Sequence, residues 1–266
     1  SRAERKRLTV SALPGPARTS TRPQETATMA TTAQLPTTID GVIARMEQID
    51  AELDPRDGVA CFNHMYLKVT KLVKDNITSG TFGDNAFIER MDVIFAGLYL
   101  RNVDADQAGR PVDPAWAPLF AARDNRIIWP LQFALAGMNA HINHDLPVAV
   151  VETCAERHTT PNTPPVHQDY EKVNDLLAAA EAEVRAEYEP EILKLTTRDA
   201  EALKHAISAF SVAEAREAAW TTAQTFWIEK NGLDPLAYRS HEAALARAVA
   251  VVSQGILLPV VPMPEN

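Results

Sequence analysis

The chain has 266 residues, 46% hydrophobic and 23% charged, with 10 Gly, 2 Cys and a net charge of −9. That balance excludes collagen-like, largely disordered and disulfide-framework chains. The acidic charge speaks against a nucleic-acid partner, whose phosphates need a basic face.

Residues 1–28 differ from the rest: they carry a charge of +4, which leaves −13 for the remainder. They contain no apolar run of the kind a secretory signal needs. We expect a disordered leader or added segment ahead of a natural start at Met29, followed by one helical domain over residues 29–266.

Apolar residues Ile39, Val42, Ile43, Met46, Ile49 and Leu53 recur at spacings of three and four. They predict an amphipathic helix capped by Thr37 or Thr38 and stopped between Asp54-Pro55 and Gly58. A second helix is expected from about Val59 to Ile77, ending at Ser79-Gly80, and a third from Gly83-Asp84 to about Val103. A loop rich in Pro and Asp leads to a short segment, Trp116 to Ala122. The next helix is expected from about Asn125 to Asp145, stopped by Pro147, with a short helix over Val148 to Ala155.

A loop with several prolines, Glu156 to Val166, is long for a helix connection and is expected to act as a lid. A polar helix from Gln168, bent near Pro190, should follow, with the Glu181 to Glu191 run on its solvated face. Further helices are expected over Arg198 to Lys230 and Pro235 to Ile256, then an apolar tail. No alternating strand pattern appears, so the fold class is all-α: a single-domain helical bundle. No stretch is long and apolar enough to span a bilayer: Ile127 to Met138, the longest, is broken by Gln132 and falls short of roughly 20 residues. Cys61 and Cys154 lie outside any C-x-x-C, which predicts a reduced, cytoplasmic setting.

Two segments carry almost no polar residues, Val93 to Leu100 and Ile127 to Ala140. Helices apolar on every side belong at the centre, so the polar residues they hold should be inside. The segment Gly137-Met-Asn-Ala-His-Ile-Asn-His-Asp-Leu-Pro147 is therefore the most informative. Helical spacing sets Asn139 above Asn143 and His141 above Asp145. A His beside a carboxylate has a fixed tautomer and raised basicity, which suits a general base. The same residues could also be two metal ligands, or a structural network at a helix end.

We take His141 and Asp145 as the candidate catalytic pair. Asn139, Asn143, Asp92, His64, Tyr99, Trp129, Asp169 and Arg216 are the candidate substrate-binding residues. Asp169 could equally be a helix cap, and His64 and His144 could equally be core or surface histidines. Nucleophile-elbow, Walker, dinucleotide-binding and H-E-x-x-H motifs are absent. Three readings stay open. One is an acid–base enzyme (isomerase, cyclase, lyase or hydrolase type) acting on a small, largely apolar molecule without a cofactor. The second is a divalent-metal enzyme using the same cluster, and the third a non-catalytic small-molecule-binding protein.

The Gly137 to Pro147 string resembles the signature of a bacterial helical family known as domain of unknown function 5995. Supporting matches are Phe62-Asn-His-Met-Tyr-Leu-Lys-Val-Thr70, Arg90-Met-Asp92 with Phe95 and Tyr99, Asp169-Tyr170, and Val173-Asn174. The resemblance covers about Ile39 to Trp227. It implies an all-helical single domain with a buried polar site around these motifs, and no particular activity.

Overall fold

The computed structural model describes residues 34–177, 211–232 and 235–259, all within one compact unit, Thr32–Asn266. The segment expected at residues 1–28, the Glu181 to Glu191 run, the bend near Pro190, the helix start near Arg198 and the tail beyond residue 259 lie outside the described residues. The described chain is all-α.

The first three helices start where side chains can cap them. Helix α1 (Ile39–Glu52) opens at Thr38, whose Oγ1 accepts from the Gly41 N–H at 3.1 Å. Helix α2 (Gly58–Thr78) opens at Asp57 and α3 (Asn85–Gln107) at Asp84, each accepting a backbone N–H of the first turn. Such a cap satisfies one of the four N–H groups a helix start leaves open. Asp57 also pairs with Arg123 at 2.8 Å, tying α2 to the short helix α4 (Ala117–Ala122). On α1, Val42, Met46 and Ile49 are buried along one stripe. Each such side chain contributes about 1.5–3 kcal/mol by leaving water.

The two all-apolar segments are central, as their composition requires. Helix α5 (Pro130–Ala140) packs between α2 and the last helix, α9 (Pro235–Ile256). The other segment, Val93 to Leu100, lies in α3, which packs against α1, α2 and α6 (Leu146–Glu156), and α6 in turn packs on α8 (Val212–Lys230). Helix α7 starts at residue 166 and is described to residue 177. Gly137 allows the close approach of α5 to α2, since a Cβ there would fall on the Phe62 ring.

The predicted stop at Pro147 is not where the helical path ends. Residues His141–Asp145 form a π turn in which the Leu146 N–H reaches the His141 carbonyl, five residues back, and α6 follows without a break. In an unbroken α-helix the Pro147 ring would clash with the carbonyl of Asn143. One wider turn accommodates it, and such turns recur at functional sites.

Candidate functional site

Helices α2, α3, α5, α6, α7 and α8 and the π turn line a cavity of about 110 Å³. Its wall is mostly apolar, with Met65, Val69, Ile88, Met91, Met138 and Leu146 among the lining residues. Among the described residues four polar side chains line it: Tyr66 from α2, Asp92 from α3, His141 from the π turn and Arg216 from α8. Three of them present a buried atom with no hydrogen-bond partner among the described residues, namely Tyr66 Oη, Asp92 Oδ2 and His141 Nε2. Buried polar atoms are normally satisfied, because leaving one bare costs about 1–3 kcal/mol. Three on one cavity is the pattern of groups that await a ligand.

His141 is held on every side. Its ring stacks on Phe95, centroids 3.5 Å apart and 6° from parallel, and meets Tyr66 edge-on at 4.4 Å. Its Nδ1 lies 3.0 Å from Asp145 Oδ2, which also accepts from Trp116 Nε1 at 2.9 Å. The other oxygen, Oδ1, lies 2.9 Å from His144 Nδ1. Burial pushes the Asp145 carboxyl up, but the hydrogen bonds from His141 and His144 outweigh it and hold it below the usual carboxylate range. An ionised Asp145 can only accept, so His141 donates from Nδ1, and the lone pair of the neutral ring sits on Nε2, at the cavity.

The expected raised basicity of His141 is not found. Burial lowers its pKa by more than the Asp145 bond and charge raise it. The raised histidine is His144: burial pulls it down, while the Asp145 hydrogen bond and the charges of Asp145, Asp113 and Glu242 prevail. Asp92 behaves oppositely to Asp145. Without a donor for Oδ2, burial and then the charge of Glu89 push it up to about 7. Burial likewise keeps the Tyr66 phenol well above its ordinary range. At neutral pH the cavity thus holds an uncharged base and a half-protonated acid.

The structure separates the other candidates. Asn139 and Asn143 are bonded to each other at 3.0 Å, as their spacing predicts, but they do not line the cavity. Asn139 donates to the Val249 carbonyl and Ser253 Oγ of α9, and Gln132, seven residues earlier on the same stripe, donates to the Ile256 and Leu258 carbonyls. Residues 139 and 141 are about 200° apart around a helix, so the Asn side is an anchor for α9 and the His side is the cavity. His64 is exposed and faces Asp50, for the same reason: two positions along α2, Tyr66 points inward in its place.

Tyr99 donates to Asn63 Oδ1, and its ring centre is 6.4 Å from that of His141, outside the cavity wall. Trp129 lies buried at the start of α5, where its N–H donates to Gln132 Oε1. Asp169 neither touches the cavity nor caps its own helix. It accepts the N–H groups of Gly83 and Asp84, fixing the turn before α3. Arg90 makes a two-pronged pair with Glu156, joining α3 to α6. None of the cavity-lining residues comes from the loop expected as a lid. Its Pro165 packs on Gly83 and its Asn162 accepts from Gln224 of α8.

Tyr66 is the site residue that the sequence reading missed. The available signal was its i+4 spacing from Phe62 on an apolar stripe. Among the described residues no group of three His, Cys, Asp or Glu has the arrangement of a metal site. Both oxygens of Asp145 are already engaged by N–H donors, which leaves His141 Nε2 and Asp92 as the open donors to the cavity.

The chain belongs to the family of unknown function DUF5995, whose model matches residues 39–259. No curated protein and no solved structure matches it. No described helix is long and apolar enough to cross a membrane.

Proposed function

We propose that the chain is an acid–base enzyme, of isomerase, cyclase, lyase or hydrolase type, acting on a small and largely apolar molecule inside this cavity. The observation that carries the reading is His141: a buried imidazole that lines an apolar cavity, clamped at Nδ1 by an ionised carboxylate, with no partner for Nε2 among the described residues. Asp145 is a positioning residue, which fixes the tautomer and stabilises the imidazolium that forms when Nε2 takes a proton. Asp92, with its pKa raised to about 7, can give or take the second proton. Two titratable groups with unlike environments on one cavity are what acid–base chemistry at neutral pH needs. The wall is mostly apolar, and an apolar surrounding strengthens each polar contact made within it. Cys61 and Cys154 are both buried with no disulfide, which supports a cytoplasmic setting.

The test is incubation of the full chain with a pool of small organic metabolites in D₂O. NMR and mass spectrometry then read deuterium uptake at carbon, or a change of mass. His141→Ala should abolish the conversion, and Asp145→Asn should reduce it by about 10²–10⁴-fold, the usual contribution of general acid–base catalysis. A molecule bound in the cavity with no exchange or conversion, or conversion that survives His141→Ala, would refute the reading.

A further inference from the structure

We infer that the cavity recognises a small monocarboxylic acid, whose carboxylate Arg216 binds while its apolar body lies toward His141 and Asp92. This deepens the acid–base reading and rests on the same cavity. Arg216 is 3% exposed and lines the cavity from α8. Its partners among the described residues are all neutral: Nε donates to Asn174 Oδ1, Nη2 donates to the Tyr170 carbonyl at 2.9 Å, and the guanidinium lies 4.1 Å over the Tyr170 ring. Among the described residues no carboxylate pairs with it. Toward the described residues two of its five N–H donors are used, which leaves the other edge for a further acceptor.

A buried charge is ordinarily paired, because taking a lone ion out of water costs several kcal/mol. The bonds to Asn174 and Tyr170 do not need a full positive charge, since a neutral amide could donate to either. The Tyr170 ring face offsets part of the positive charge, and an anion would offset the rest. Asp92 does not supply it: both side chains line one cavity, yet Asp92 Oδ2 is bare and no ion pair joins the two. The cavity thus has a cation on α8, with Tyr66 on α2, Asp92 on α3 and His141 on the π turn as its other polar groups.

A planar guanidinium matches a carboxylate in a two-pronged bond, and strongly so in an apolar setting. The volume sets the size. A cavity of about 150 Å³ accommodates benzene, so about 110 Å³ suits a molecule smaller than a benzene ring, a carboxylate on a chain of a few carbons. One cation with no second described near it favours one carboxylate over two.

Calorimetric titration of the full chain with propanoate, butanoate and 2-methylpropanoate, each against its own neutral amide, tests this. At least one acid should bind tenfold or more tightly than its amide. Arg216→Gln should remove that preference, and Arg216→Lys should keep part of it. If no acid binds, if every amide matches its acid, or if the preference persists in Arg216→Gln, the inference fails. The wild-type comparison decides even where Arg216→Gln does not fold. The two proposals fail differently. Acid preference without proton exchange upholds Arg216 and refutes the chemistry, and exchange without acid preference does the reverse.

Discussion

Replacing Asp92 by Asn removes one titrating group and nearly preserves its shape, so it isolates what burial does to this carboxyl. The unfolded chain should give up this proton near the ordinary 3.8, while the folded protein holds it to about 7. Between those values the folded state binds the proton and the unfolded state does not. The stability that Asp92 contributes is therefore full below 3.8, is lost as pH rises toward about 7, and is constant above it. Each pH unit between the two pKa values is worth about 1.4 kcal/mol, so the whole loss is about 4 kcal/mol, of which about 3 falls between pH 4.5 and 8. That is a large share of the roughly 5–15 kcal/mol that stabilises a typical domain.

Urea unfolding of both proteins, followed by circular dichroism across this range, measures it. The stability of Asp92→Asn relative to wild type should climb by about 3 kcal/mol from the acid to the alkaline end. The constant offset, which reflects how well the amide is accommodated, does not matter to the slope. A difference that stays flat with pH would mean that Asp92 ionises like a surface carboxylate, and its role as the second acid–base group would fall with it.

Long-range ¹H–¹⁵N spectra should show His141 neutral and protonated at Nδ1, charging only below the ordinary 6.5, while His144 stays charged above it. A proton on His141 Nε2 would contradict the geometry. Asn139→Ala should lower stability by about 1–3 kcal/mol per lost buried bond, since the Val249 carbonyl and Ser253 lose a donor. It should leave butanoate affinity unchanged, and a large loss of affinity would return Asn139 to the site. Gly137→Ala should destabilise by about 1–3 kcal/mol through overpacking against Phe62, whose ring edge faces His141. A melting temperature equal to wild type would show that α5 and α2 have slack there.

Much of this protein is legible one residue at a time. Periodicity of three and four marks α1, and side chains able to accept an N–H mark the starts of α1 and α3, because both are local properties of helical backbone. The two apolar segments announce the central helices, since no solvent-facing side can be built from them. The spacing of His141 and Asp145 brings them together for the same local reason. What spacing does not tell is which neighbour each side of a buried helix meets. Asn139 and His141 are both buried, yet one anchors α9 and the other faces the cavity.

The direction of the His141 shift was equally out of reach. A carboxylate one turn away argues for a stronger base, but burial from α2 and α3 outweighs it, and burial is a sum over the whole fold. Tyr66, Asp92 and Arg216 come from three separate helices, 150 residues apart from first to last. The sequence by itself determined an all-α body, its central helices and the bonded His–Asp pair. Only the tertiary structure decided which polar side chains share one cavity, because desolvation and convergence depend on packing between helices and not on order along the chain.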